Sequence, residues 1–235
     1  ECHEVGDRRQ EQHRPDPEQG RGGHPGVRAE ADPRHESDRE RAGAGGDRGQ
    51  GEAGEDAAVI SDPACIAWLL NIRGHDVPYT PFGLGFALLH ADGGVELFMA
   101  RRKVPAEVAA GWGNAVSLAE REALPKALAA LGGKRVRVDA AAAPAWFAAT
   151  LRAAGASVKP GMDPCILLKA SKNETEREGA RIAHRRDAIA VCRFLRWLET
   201  AAGSETEMSA AAKLLALRGE GRDFRGESFP AIAGA

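Results

Sequence analysis

Residues 1–55 contain no Leu, Ile, Met, Phe, Tyr, Trp or Lys and are built mainly from Arg, Glu, Asp, Gly, Gln, His, Pro and Ala. A segment without large apolar groups cannot offset the entropy of ordering its backbone, so it reads as disordered. Its histidines, His3, His13, His24 and His35, lack the spacing of a ligand set. Arg without Lys is also what a GC-rich gene yields when read out of frame, here joined to the true frame near the stretch GEDAAVI at 54–60. The four cysteines, Cys2, Cys65, Cys165 and Cys192, form no CxxC pair. That excludes a Cys-zinc knuckle or a disulfide framework, and leaves Cys65, Cys165 and Cys192 as inert buried thiols of a reduced, cytoplasmic protein. A net charge of −2 supplies no field to draw in nucleic acid or an anionic membrane. No apolar run is long enough to cross a bilayer, and the charged, polar opening is no signal peptide. The first residue is not Met, which suggests a piece of a longer reading frame or a trimmed chain.

From Asp56 onward the composition is that of a folded protein. DAAVI at 56–60 has the pattern of a short buried strand, and Asp62 and Pro63 form an N-cap and first-turn pair for the helix that follows. Two apolar runs flank Asp92-Gly93, a strong hairpin signal. LAEREALPKALAAL at 118–131 reads as a helix that Pro125 kinks or restarts. KRVRVD at 134–139 reads as a strand with Val136 and Val138 on one face. The helix of 142–155 stops at Gly155, and PCILLKA at 164–170 reads as a further buried strand. Alternating strands and helices give an α/β class, a mixed sheet with helices on both faces.

A second unit opens with Asn173 and Glu176, which have capping-box spacing, and continues as a helix of roughly 28 residues. Its apolar arc collects Ala183, Ala190, Val191, Phe194, Leu195, Trp197, Leu198 and Ala201, with Arg181, Arg185, Arg193 and Arg196 on the opposite, solvated side. Asp187 points into the apolar arc and requires a partner, while His184 packs at its edge. Ser204 or Thr206 caps the next helix, and the final residues begin something extended. With the sheet partner of this unit missing, Phe194, Trp197, Leu198 and Phe229 are expected at the surface, or packed on the preceding unit or a second copy.

No HExxH, GxGxxG, GxSxG or P-loop motif occurs. Gly83 and Gly85 lie between extended segments, where they serve a bend or bulge, and Arg101-Arg102-Lys103 read as exposed. One stretch, WLLNIRGHDVPYTP at 68–81, gathers Asn71, Arg73, His75, Asp76 and Tyr79 on a Gly/Pro-punctuated loop. Polar loops mounted on a rigid scaffold are where binding residues gather. The plainer reading is that Arg73 and Asp76 pair to hold the turn.

The stretches DAAVISDPACIAWLLNIRGHDVPYTP, FALLHADGGVELF, DPCILLKASKNETEREGARIAHRRDAIAVCRFLRWLE and EMSAAAKLLALRGEGRDFRGESFPAIAGA resemble the three-domain Xaa-Pro aminopeptidases, a branch of the creatinase/prolidase-like metallopeptidases. The resemblance runs from about Asp56 to Ala235. It implies that residues 56–169 are the middle, creatinase amino-terminal-like domain and that 170–235 are the opening helices of a truncated pita-bread domain, with 1–55 disordered or out of frame. It places Arg73, His75 and Asp76 on a substrate-side loop. It implies an enzyme that removes the residue ahead of proline from peptides with proline at the second position, using two divalent metal ions of the manganese type. The metal and catalytic residues of that chemistry lie beyond this chain, which is therefore expected to bind no cofactor and to be inactive alone. A homodimer remains open, as does the alternative of a non-catalytic binding or scaffold module that retains the creatinase-like fold.

Overall fold

A computed structural model of the chain describes residues 28–29, 54–201 and 203–232. The expectation of disorder for 1–55 falls almost wholly outside the described residues. Within that segment, β1 (Arg28–Ala29) pairs antiparallel with β3 (Ile72–Arg73). Glu55, assigned to the same segment, is buried and belongs to the fold.

The centre of the molecule is a six-stranded mixed sheet ordered β6-β5-β4-β2-β7-β8. Its strands are β2 (Ala57–Ile60), β4 (Phe86–His90), β5 (Val95–Phe98), β6 (Val116–Ala119), β7 (Arg135–Val138) and β8 (Ser157–Pro160). β2 and β4 run antiparallel, as do β4 and β5; β2–β7, β5–β6 and β7–β8 are parallel. The hairpin predicted at Asp92-Gly93 joins β4 to β5, with Gly93 at φ +84°, a conformation open to glycine at little cost.

Side chains alternate across a strand, so β2, β4 and β5 feed two cores. Ala58, Ile60, Ala87, Leu89, Val95 and Leu97 face one layer, formed by α1 (Pro63–Leu69), α2 (Ala106–Gly111) and α5 (Cys165–Ala170). Ala57, Val59, Leu88 and Phe98 face the other, where Val136 and Val138 join Leu124 and Leu128 of α3 (Leu124–Ala129) and Phe147 and Leu151 of α4 (Ala145–Ala153). Each such large side chain, once buried, contributes about 1.5–3 kcal/mol of transfer free energy. Asp62 caps α1 by accepting the Ala64 N–H at 2.9 Å, with Pro63 in the first turn as expected.

Two expectations are corrected. PCILLKA forms helix α5, not a strand; the edge strand is the preceding Ser157–Pro160. The helix read over 118–131 is split: Leu118 and Ala119 close β6, a 3₁₀ turn spans Arg121–Ala123, and the α-helix starts only at Leu124, where Pro125 suits a first turn. The final residues, read as the start of something extended, pair with no strand among the described residues through Ile232.

Beyond α5, the helix predicted from Asn173 is α6 (Glu174–Ala201), 28 residues long. Its capping box is made: Asn173 Oδ1 accepts the Glu176 N–H at 2.8 Å, and Glu176 Oε2 accepts the Asn173 N–H at 2.9 Å. Thr206 caps α7 (Glu207–Gly219) through a reciprocal box with Ser209. The two helices pair: Phe194, Trp197 and Leu198 are half-buried, Lys213 lies 5.7 Å from the Trp197 ring, and Phe229 stays 61% exposed. Asp187 finds its partner in Arg218, with bonds of 2.7 and 3.1 Å. His184, expected to pack, is exposed.

Candidate functional site

The loop between β3 and β4 carries the residues singled out by sequence. It leaves β3 at Arg73 and folds back on itself: the Gly74 N–H donates to Pro81 O at 3.0 Å and the Asp76 N–H to Phe82 O at 3.2 Å. The two backbones are so close that a Cβ on Gly74 would stand 2.4 Å from the Gly83 nitrogen. Only glycine fits there, which explains the RG dipeptide in physical terms. At the tip, the Thr80 N–H donates to Val77 O at 3.3 Å, closing a turn with Pro78 and Tyr79 at its centre. Tyr79 has φ +64°, the left-handed region that a type II turn demands at its third position and that tyrosine adopts at a cost of about 1–2 kcal/mol.

The structure does not bring Arg73, His75 and Asp76 into one cluster. Arg73 turns back to the end of α1, its Nη1 donating to Ile72 O at 3.0 Å and Ala67 O at 3.4 Å. His75 is exposed and its ring makes no hydrogen bond among the described residues. Asp76 is mostly covered, and its Oδ2 accepts the Leu84 N–H and the Lys103 ammonium, each at 2.6 Å. Asp76 thus pairs with Lys103 and not with Arg73 as in the plainer reading, and Lys103 is half-buried where the sequence suggested an exposed basic run. Lys103 ends the 3₁₀ turn Arg101–Lys103 that follows β5, and nothing in a sequence pattern links it to a carboxylate 27 residues earlier.

A second polar group lies where α1 and α5 begin. Cys65 Sγ donates to Asp62 Oδ2 at 3.2 Å, and the Lys169 ammonium reaches the same oxygen at 3.1 Å. The Cys165 N–H donates to Asp163 Oδ1 at 2.8 Å. Burial, reinforced by the neighbouring Asp163 carboxylate, pushes the Cys65 thiol up to about 12 and drives Cys165 upward as well. Neither thiol ionises near neutral pH, so neither serves as a nucleophile or a metal ligand as it stands. Cys192, read as buried, is exposed on α6.

An open groove of about 630 Å³ runs along α6 beside the end of α7. Ile189, Ala190, Leu217 and Phe224 line it, and the Arg186–Asp223 (2.6 Å), Arg193–Glu220 (2.5 Å) and Asp187–Arg218 pairs cross it. Among the described residues no three His, Cys, Asp or Glu side chains are grouped to hold a metal ion, and no helix is long and apolar enough to cross a membrane.

Residues 48–176 match the Creatinase/Prolidase N-terminal domain family. A probable Xaa-Pro aminopeptidase P of Ajellomyces capsulatus (strain G186AR) is 31% identical over 192 residues, which cover 74% of this chain and 31% of that protein. Its counterpart in Leptosphaeria maculans is 33% identical over 188 residues, with the same shares. The chain therefore spans about a third of the length of these curated relatives. Among solved structures, the X-prolyl aminopeptidase of Caenorhabditis elegans, described as a cytosolic enzyme with a di-nuclear active site, superposes with a TM-score of 0.75 at 22% identity, over 87% of this chain and 35% of that one. The Xaa-Pro dipeptidase of Bacillus anthracis gives a TM-score of 0.60 at 14% identity, over 77% and 49% of the two chains.

Proposed function

The chain belongs to the creatinase/prolidase N-terminal domain family, and from that footing we propose that it is the non-catalytic portion of an Xaa-Pro aminopeptidase. In this reading residues 56–169 are the creatinase-like domain and 170–235 open a pita-bread catalytic domain. The complete protein hydrolyses the bond ahead of proline in peptides with proline second, in the cytoplasm, with two divalent cations of the manganese type.

Relatives that are probable Xaa-Pro aminopeptidases, at 31–33% identity over about a third of their length, support the assignment. The observation that carries the non-catalytic part is chemical. Two-metal hydrolysis needs several carboxylate and imidazole donors converging on both cations and a bridging hydroxide. The described residues offer no group of even three. The described side chains supply no such donor set, and no catalytic step is assigned to them. The loop of Arg73, His75 and Asp76 is then a substrate-side element that borders the chemistry without performing it.

The test is direct. The purified 235-residue chain, incubated with a peptide bearing proline at the second position with and without added Mn²⁺, is expected to release no amino-terminal residue and to retain no metal after dialysis. Metal-dependent release of that residue overturns the reading.

A further inference from the structure

We propose that Lys103 is the positioning residue of the 74–84 loop, a clasp that fixes the loop tip from the sheet. Its functional weight rests on the substrate-side reading above; the clasp itself rests on geometry.

The tip needs such a device. Tyr79 sits at φ +64° yet leaves 49% of its surface in solvent, so packing of its own ring does not account for a backbone that L side chains rarely adopt. Strained conformations of this kind persist only where the surroundings over-determine them. The two backbone bonds across the loop, Gly74 to Pro81 and Asp76 to Phe82, tie its strands to each other. The Asp76 carboxylate adds a tie to the sheet side. One oxygen takes the Leu84 N–H from the returning strand and the Lys103 ammonium from outside the loop.

Lys103 is itself held. Its N–H donates to Ala100 O at 2.9 Å, the neighbouring Met99 N–H donates to Ala119 O of β6 at 3.0 Å, and Val104 beside it is buried in the core. The ammonium thus transmits the position of the β5–β6 half of the sheet to the loop. The half-burial of both partners limits screening by salt. The exposed residues of the loop, His75, Pro78, Tyr79, Pro81 and Leu84, are consequently presented in a preformed arrangement and do not have to order when a ligand arrives.

Tyr79 is the only tyrosine in the chain, which supplies a probe. A chain labelled with [¹⁵N]tyrosine gives one tyrosine backbone resonance, and it reports the loop tip. In Lys103→Met that resonance is expected to shift or broaden, and hydrogen exchange at the Leu84 amide to speed up by about tenfold or more, while Val59 and Leu88 in the sheet stay protected. Lys103→Arg, which keeps a charged donor, is expected to restore both signals. Should Lys103→Met fail to fold, Lys103→Gln is read in the same way. An unchanged Tyr79 resonance and Leu84 exchange rate in the folded Met or Gln variant, or an Arg variant as loose as the Met variant, overturns the proposal. None of these readings uses hydrolysis: an active chain would sink the functional reading and leave the clasp intact, and a rigid loop without Lys103 would do the reverse.

Discussion

Asp62 and Asp163 stand before α1 and α5, and their surroundings move them in opposite directions. Burial alone would raise Asp62, but the Ala64 N–H, the Cys65 thiol and the Lys169 ammonium outweigh it and hold the carboxyl below its ordinary 3.8. At Asp163 burial wins over the Cys165 N–H and the two thiols, and the carboxyl is raised above 3.8. The linkage signs follow. Asp62 contributes stability above its unfolded value, and this is lost as pH falls through the lowered one. Asp163 binds its proton more tightly in the folded state, so stability falls as pH rises from 3.8 through the raised value, and the cost is complete above it. Asp163→Asn keeps an acceptor for the Cys165 N–H and removes the charge. It is expected to be more stable than the parent chain at about pH 7, the two converging as pH approaches about 4, by urea unfolding across that range. A variant less stable than the parent at neutral pH refutes this. The Asp-Pro cap at 62–63 was legible in sequence because capping is local. The partner of Asp76 was not, since a contact across 27 residues leaves no local trace, and the motif drew attention to Arg73 instead.

Elements with a sustained period or a cap were legible, and short apolar runs were not. The α6 helix declared itself by its 3.6-residue pattern and its capping box, and both are present. PCILLKA supplies only six helical residues, Cys165–Ala170, too few for periodicity to separate a buried helix from a buried strand. The strand actually present, Ser157–Pro160, is mostly exposed and ends in proline, as an edge strand does, so it offers no apolar alternation to detect. Pairing between α6 and α7 rests in part on a bidentate bond whose requirement was legible, since Asp187 lies in an apolar arc, although Arg218 as its partner was not. Asp187→Ala leaves Arg218 without that carboxylate. It is expected to cost up to about 1 kcal/mol, seen as faster hydrogen exchange in α7 with exchange in β2 and β4 unchanged. Equal loosening of the sheet would show that the helix pair is integral to the α/β core.

At the scale of the molecule, neither hydrophobic core includes a residue of α6 or α7; Ala190 and Leu217 are buried between those helices instead. Meanwhile Ile189, Leu195, Met208 and Phe229 remain largely in solvent. Stability is therefore unevenly distributed, and local opening follows the thinner packing. Urea is expected to unfold the helix pair first, at a lower midpoint than the sheet, giving two transitions when Trp197 and Trp112 are read separately in variants that retain one or the other. A single shared midpoint would mean that the two units fold as one. In the sequence, the change from alternating elements to two long helices is what suggests such a boundary, whereas the approach of Lys213 of α7 to the Trp197 ring leaves no local trace. One fastening also bears on how this molecule is handled at the bench. Glu55 is almost wholly buried and its carboxylate meets the Arg137 guanidinium of β7 at 2.5 Å. A shortened version that begins at Ala57, the first residue of the six-stranded sheet, removes this carboxylate from a largely covered guanidinium, so a minimal version is expected to be more stable when it keeps the acid two places upstream.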